Sequence, residues 1–155
     1  MAIAVVVPMV SAVIYMGSDH RGLRLKSVLK DYLSGRGYDI MDMGPFSYDK
    51  DDNFLDYADV VCREALKSNG LGILVCGSGQ GMSMAANKVR GIRATLCWNE
   101  ESGRLAKEHH DANVICLAGQ IGSEDDAKLA VDAWLGSRFT GEERHARRIG
   151  RLNEM

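Results

Sequence analysis

An apolar run ends on a cysteine at Cys76, and Gly77, Gly79 and Gly81 follow it closely. A strand that passes through a glycine loop into a helix presents free backbone N–H groups and the positive end of the helix dipole, which together attract anions. Such donors can also stabilise an oxyanion that exists only in a transition state. The same field favours the ionised form of a thiol. The pattern therefore indicates that Cys76 could act as a base or a nucleophile beside an anion-binding loop.

The alternative is a packing role, since a cysteine within a strand usually behaves as a small buried hydrophobic residue. We favour packing for Cys62, Cys97 and Cys116, which lie within apolar runs. For Cys76, which stands at the end of its run, we favour the chemical role. The cysteines form no C-x-x-C pair, so the sequence predicts neither a zinc site nor a redox disulfide. A reducing, cytoplasmic setting is expected.

The glycine loop does not fit the nucleotide-binding motifs. Its glycines give G-x-G-x-G, one residue short of the dinucleotide fingerprint, and Trp98 and Asn99 stand where that fingerprint needs an acidic residue. The phosphate-loop pattern G-x-x-x-x-G-K-[ST] is also absent from the sequence. A nucleotide-binding module therefore ranks below an enzyme that uses the loop for another anion.

Further polar side chains stand where a strand or a helix should end. Asp19 and His20 follow the first apolar run and could form either a catalytic pair or a simple turn. His109 and His110 close a predicted helix, where positive side chains match the dipole. Adjacent histidines cannot share one helix face as metal ligands do at a spacing of i, i+4. The sequence therefore predicts no metal site.

Two arginines of the last predicted helix, Arg144 and Arg148, lie one turn apart. Two guanidinium groups on one face can clamp a phosphate, because their planar donor forks match its oxygens. The alternative is an ordinary solvated basic face. Nucleic-acid binding is disfavoured, since the formal net charge is -2 and no other basic patch accompanies these arginines.

Short apolar runs alternate with longer amphipathic segments along the chain. Strands are predicted at 12–16, 38–43, 71–76, 93–98 and 113–118, and helices at 21–34, 54–68, 100–109, 123–135 and 141–153. This alternation predicts a Rossmann-like three-layer α/β/α sandwich with a five-stranded, mostly parallel sheet and a C-terminal arginine-bearing helix. Ligands bind such sheets at the carboxyl ends of the strands. Asp19, His20, Gln120 and the loop after Cys76 should meet there.

The chain has 155 residues, enough for one domain with a single core. We assign residues 10–155 to that domain and residues 1–9 to an N-terminal extension, in which Met9 could be the natural start. The apolar opening has no basic leading region and no convincing cleavage site. It is also short for a membrane span, which takes about 20 apolar residues, so no membrane association is expected.

Four separated motifs carry a family resemblance. They are G-x-D-H after the first strand, C-G-[ST]-G-x-G-x-x-x-x-A-N-K after the third, H-x-D-x-N-V before the fifth and R-H-x-x-R in the tail. With these motifs in the same order from about Ala12 to Arg148, the chain resembles the ribose-5-phosphate isomerases of type B. That family is similar to the isomerases of galactose 6-phosphate and allose 6-phosphate. The resemblance therefore defines the reaction better than it defines the sugar.

The resemblance implies an aldose–ketose isomerisation through a cis-enediolate, without metal or cofactor. Cys76 matches the base of one branch of the family and would move the proton from C2 to C1, while Ser78 would move a proton between O1 and O2. The backbone amides from Gly77 to Gly81 would hold the enediolate oxygen. Met82 stands where another branch has a glutamate base, so this chain should belong to the cysteine branch.

Other matched positions imply the rest of the site. His109 matches the ring-opening histidine, with Asp19 as its companion. The phosphate-binding positions are matched by His20, Arg144 and Arg148. Family members are homodimers or dimers of dimers whose active sites combine both chains, so a lone subunit should be inactive.

Three positions depart from the family pattern. His110, which we keep as a substrate-binding residue, replaces an asparagine; Phe54-Leu55 replaces Tyr-Pro; and Gln120 replaces a phosphate-binding arginine. Loss of one charged hydrogen bond costs about 1.5 to 3 kcal/mol, which would weaken phosphate binding without abolishing it. The expected substrate is ribose 5-phosphate. The alternatives are a tetrose or hexose phosphate, or a non-catalytic subunit that binds a sugar phosphate.

Overall fold

The computed structural model describes residues 11–155, so the predicted extension at residues 1–9 and the domain boundary at residue 10 lie outside the described residues. Within this range the chain forms five strands and six helices. In chain order they are β1 (Ile14–Ser18), α1 (Leu23–Ser34), β2 (Ile40–Asp42), α2 (Phe54–Ser68), β3 (Leu71–Cys76), α3 (Gln80–Asn87), β4 (Ala94–Leu96), α4 (Glu100–Glu108), β5 (Val114–Ala118), α5 (Glu124–Gly136) and α6 (Glu143–Glu154).

The strands form one sheet in the order β2-β1-β3-β5-β4, and every pair of neighbours is parallel. A helix follows each strand, as a parallel sheet requires, because the chain must return to the same end before the next strand begins. The predicted Rossmann-like α/β/α sandwich is confirmed. Within residues 11–155 the sheet is wholly parallel, where the sequence predicted a mostly parallel one.

β1 begins and ends two residues later than the predicted 12–16. Gly17 and Ser18 extend the strand because both pair with β3. Gly17 leaves room for Val61 of α2, whose Cγ2 would lie only 2.8 Å from an added Cβ. β2 and β4 are the two outermost strands of the sheet. Each is three residues long and shorter than predicted.

Alternate residues of the central strand β3 face opposite helical layers. Ile73 and Val75 pack into the cluster that α1, α4 and α5 cover, which contains the fully buried Trp134. Leu74 and Cys76 pack into the cluster that α2 and α3 cover. The side chain of Cys76 therefore points into the layer formed by α2 and α3.

The last helix, α6, contributes little to either cluster. His145 is its one buried residue, and its other side chains are half-buried or exposed. None of the helices within the described range combines the length and the apolar character that crossing a bilayer requires.

A buried lysine ties α1 to the end of β2. Lys26 is 1% exposed, and its Nζ donates to Asp42 Oδ1 and to the carbonyl of Pro45, each at 2.7 Å. Burial lowers the pKa of Lys26, and the carboxylate of Asp42 opposes this effect. Burial alone would raise the pKa of Asp42, but hydrogen bonds from Lys26 and from the N–H of Gly44 hold it below its usual value.

Replacing Lys26 by methionine is expected to lower the free energy of unfolding by about 3 to 5 kcal/mol, because the variant leaves a largely buried carboxylate without its main partner. Urea unfolding followed by circular dichroism measures this loss. Lys30→Met is the matched control: Lys30 Nζ reaches the other oxygen of Asp42 at 3.3 Å, but its side chain is 43% exposed. Loss of that exposed pair should cost at most about 1 kcal/mol. Equal losses of unfolding free energy in the two variants would contradict the role of Lys26 as the main partner of Asp42.

Candidate active site

The carboxyl ends of β1, β3 and β5 meet at one edge of the sheet, which we call the carboxyl edge. Backbone hydrogen bonds continue there beyond the strands: the N–H of Asp19 donates to the carbonyl of Val75 at 3.1 Å, and the N–H of Gln120 donates to that of Gly77 at 3.0 Å. Cys76 ends β3 between these two contacts. The polar residues that follow β1, β3 and β5 are therefore close together.

The loop after β3 holds a row of backbone donors. Within the described range, the N–H groups of Gly77, Ser78, Gly79 and Gly81 donate no hydrogen bond to another residue. Gly79 has a φ of 76°, a left-handed conformation that glycine adopts at little cost. It is also the N-cap of α3, so the positive end of that helix dipole lies at the loop. Free donors and a helix N-terminus together can hold an anion.

Cys76 differs from the other three cysteines in its surroundings. It keeps 6% of its surface exposed, whereas Cys62 and Cys116 are fully buried and Cys97 is 2% exposed. Burial raises the pKa of Cys62 to about 12 and also raises the pKa of Cys97 and of Cys116. Those three thiols therefore stay protonated and pack in the core. Cys76 is the cysteine that directly precedes the free amides.

A cavity of about 380 Å³ opens beside the loop, near the ends of β4 and β5. Ser78 and Trp98 belong to its lining, which is otherwise mostly apolar. Cys76 does not line this cavity, because its side chain points into the opposite layer. In that layer the ring of Phe54 packs against the loop, and its Cζ would lie 3.0 Å from a Cβ added to Gly81.

Asp19 and His20 share the carboxyl edge but have separate partners. The carboxylate of Asp19 accepts hydrogen bonds from the N–H groups of Arg21 and Gly22, each at 2.9 Å, and so turns the chain into α1. His20 Nδ1 lies 2.7 Å from Asp52 Oδ1. Asp19 thus has the turn-forming role that the sequence left open, and His20 is oriented by a carboxylate from a different loop.

Asp52 is a residue of this edge that the sequence reasoning missed. Its side chain is 4% exposed, and its Oδ2 has no hydrogen-bond partner within residues 11–155. The ring of Tyr48 meets the His20 ring edge-on, with 5.6 Å between the centroids. Ligand atoms of Asp19, His20 and Asp52 lie within 4.8 Å of one another. A metal ion could bind these atoms, so the metal-free chemistry stays a prediction.

The second group of predicted site residues lies at the opposite edge of the sheet, which we call the amino edge. α4 begins after β4 and ends before β5, so its last turn lies near the amino ends of the strands. Arg93, directly before β4, donates from Nη2 to the carbonyl of Asp111 at 2.7 Å and from Nε to that of His110 at 3.1 Å. Burial and the neighbouring His109 lower the pKa of His110.

His109 also connects this edge to α6. Its ring stacks on that of His145, with 4.3 Å between the centroids and 14° between the planes. Desolvation lowers the pKa of His145, and the charges of His109, Arg144 and Arg148 lower it further. Glu142 opposes this lowering and also pairs with Arg144, whose Nε lies 3.0 Å from Glu142 Oε2. The two arginines of α6 therefore lie near this histidine pair.

The predicted site residues thus form two groups within one chain. Cys76, Ser78, Asp19 and His20 lie at the carboxyl edge, and the group around His109 lies at the amino edge. A strand of the length of β3 separates its ends by about 20 Å, at about 3.3 Å per residue. Asp19 and His109 therefore do not meet within one chain, and their predicted partnership would need a second chain.

Comparison with known sequences identifies the family. A family model described as Ribose/Galactose Isomerase matches residues 14–152. The probable ribose-5-phosphate isomerase B of Mycoplasma genitalium is 38% identical over 141 residues, which cover 90% of this chain and 92% of that protein. Ribose-5-phosphate isomerase B of Escherichia coli strain K12 is 38% identical over 140 residues, which cover 88% and 91%.

Solved structures agree with the sequence comparison. Ribose-5-phosphate isomerase B from Mycoplasma genitalium, with bound ribulose-5-phosphate, has a TM-score of 0.88 and 38% identity over 92% of this chain and 94% of its own. The ribose 5-phosphate isomerase from Thermotoga maritima has a TM-score of 0.89 and 40% identity, over 93% of this chain and 99% of its own. The parallel-sheet fold and the high similarity to these isomerases together place the protein among the aldose–ketose isomerases. Within that class, the chain belongs to the ribose/galactose isomerase family.

Proposed function

We propose that the protein interconverts ribose 5-phosphate and ribulose 5-phosphate. Its relatives are named as ribose-5-phosphate isomerases of type B, and one of their structures contains bound ribulose-5-phosphate. The observation that carries the proposal is the position of Cys76 at the carboxyl edge, directly before the loop in which the N–H groups of Gly77, Ser78, Gly79 and Gly81 have no acceptor among residues 11–155.

The C2 proton of a sugar is a very weak acid, and this explains why base and donors must act together. A side-chain base removes such a proton only if the charge that develops on the substrate oxygen is stabilised at the same time. The Cys76 thiolate accepts the C2 proton, and the electron pair of the C2–H bond forms the C1–C2 double bond. The carbonyl oxygen on C1 becomes the negative enediolate oxygen, to which the loop N–H groups donate.

The second half of the reaction reverses these transfers at the neighbouring carbon. Ser78 carries the proton from O2 to O1, and the Cys76 thiol returns its proton to C1, which leaves a carbonyl at C2. The substrate is neither oxidised nor reduced overall. The proposed mechanism therefore requires no cofactor.

Ring opening and phosphate binding are assigned to side chains from both edges. His109 opens the sugar ring, with Asp19 of the facing chain beside it, and Arg144, Arg148 and His20 bind the phosphate. These roles require the amino edge of one chain to meet the carboxyl edge of another. We therefore propose a homodimer, or a dimer of dimers, with active sites shared between chains.

A tetrose or hexose phosphate is the second candidate substrate, and specific departures favour it. Phe54 places an apolar ring against Gly81, where the family usually offers a tyrosine. Gln120 presents a neutral amide at the carboxyl edge in place of a cation. A pocket altered in shape and charge at these positions could select a different chain length.

NMR in heavy water tests the reaction and the sugar together. Tetrose, pentose and hexose phosphates are supplied in turn, with and without a metal chelator. Ribose 5-phosphate should be converted fastest, its C2 proton signal should disappear as solvent deuterium enters, and the chelator should have no effect. Conversion of no sugar phosphate would contradict the proposal, and faster conversion of a tetrose or hexose phosphate would favour the second candidate.

A further inference from the structure

Arg21 lies against the glycine loop. An added Cβ on Gly77 would lie 3.0 Å from Arg21 Cδ and 3.6 Å from Arg21 Cβ, so the aliphatic part of the arginine covers this glycine. Gln120 approaches the same point, with its Oε1 at 3.3 Å. The side chains of Arg21 and Gln120 therefore flank the first backbone donor after Cys76.

The backbone of Arg21 is held in place, while its charged end has no partner among residues 11–155. Its N–H donates to Asp19, and its carbonyl oxygen would lie 2.5 Å from a Cβ added to Gly119. The guanidinium is part of an exposed residue and, in the described part of the chain, has no hydrogen bond, ion pair or ring contact. Arg24, in the first turn of α1, is instead paired with Glu124 at 3.1 Å.

We propose that Arg21 binds the phosphate group of the substrate at the carboxyl edge, an assignment that rests on the proposed isomerase function. The planar guanidinium fork matches phosphate oxygens, and the free loop amides with the N-terminus of α3 add to the positive field there. Gln120 offers hydrogen bonds but no charge. Arg21 therefore supplies a guanidinium on this side of the site, in addition to His20 and to the α6 arginines of the facing chain.

The test separates phosphate binding from turnover. A ³¹P NMR titration with inorganic phosphate gives an affinity that needs no catalysis, and steady-state kinetics give kcat and KM for the preferred sugar phosphate. Arg21→Gln should weaken phosphate affinity and raise KM by about 10-fold to 100-fold, as loss of a charged hydrogen bond predicts. Its kcat should stay within about threefold of wild type, because the lost contact exists in the ground state and the transition state alike.

Two further variants complete the design. Arg24→Gln is the matched control, since Arg24 is a nearby exposed arginine already paired with Glu124. This variant should leave the phosphate affinity and the KM unchanged. The exchange variant Arg21→Gln/Gln120→Arg moves the guanidinium to the other residue that flanks Gly77. It should restore most of the phosphate affinity.

Unchanged phosphate affinity and KM in Arg21→Gln would overturn the assignment. A fall in kcat at unchanged KM would also overturn it, because the guanidinium would then act at the reacting carbons. An exchange variant with the melting temperature of wild type but still a weak affinity for phosphate would also contradict the assignment. If wild type binds phosphate through Arg21 but isomerises no sugar phosphate, the proposed function fails and phosphate binding by Arg21 stands.

Discussion

Replacing Cys76 by alanine is expected to lower kcat by about 100-fold or more, the usual scale for loss of a general base. KM should change little, because the loop amides remain in place. The variant should also lose exchange of the C2 proton with heavy water, since the same group removes that proton. Steady-state kinetics and NMR in heavy water measure the two effects on one sample.

Cys62→Ala is the matched control for this experiment. Cys62 lies on α2, in the same buried cluster as Cys76, and is fully buried, with a pKa raised to about 12. Alanine at this position removes a core thiol but no base, so kcat should remain near that of wild type. If Cys76→Ala retains most of its activity, Cys76 is not the base and the proposed mechanism is wrong.

Mixing two inactive variants is expected to restore activity. Cys76→Ala impairs the carboxyl edge and His109→Ala the amino edge, so each variant alone should lose about 99% of its turnover. When the two chains are co-expressed, a dimer that contains one chain of each variant has one site built from two intact edges. Random pairing in two-fold dimers would then give about a quarter of the wild-type activity.

The control mixes two variants of the same edge, Cys76→Ala with Ser78→Ala. Every site of such a mixture carries a defect at the carboxyl edge, so no activity should return. Activity of the first mixture that only equals the sum of its parts would contradict shared sites. If the control mixture recovered as much activity as the first mixture, the rescue would not come from sites that combine the edges of two chains.

The fold followed closely from hydrophobic spacing. α2 and β3 have the predicted bounds of 54–68 and 71–76 because apolar periodicity and glycine or asparagine ends agree there. β1 was misplaced by two residues, since Gly17 and Ser18 have weak strand preferences and are held by pairing with β3. Pairing between distant segments is information that local spacing does not contain.

The candidate site was harder to predict, and for different reasons. The partnership of His20 with Asp52 depends on the loop between β2 and α2, which has no periodic pattern and whose acidic run gives no sign of which carboxylate is buried. The contact of Arg21 with Gly77 depends on two loops that are far apart in sequence. By contrast, the placement of His109 away from Cys76 was available from the sequence, because a helix between parallel strands must end at their amino ends.

The separation of the two groups has a consequence for how the proposed enzyme depends on its own abundance. If each centre needs two chains, a solitary chain is silent, and below the dissociation constant of the pair the number of complete centres falls with the square of the chain concentration. Centres would also arise two at a time, as two-fold symmetry requires. Flux through the reaction would then rise more steeply than in proportion to synthesis of the chain, whereas the flux through an enzyme complete in one chain would rise in simple proportion.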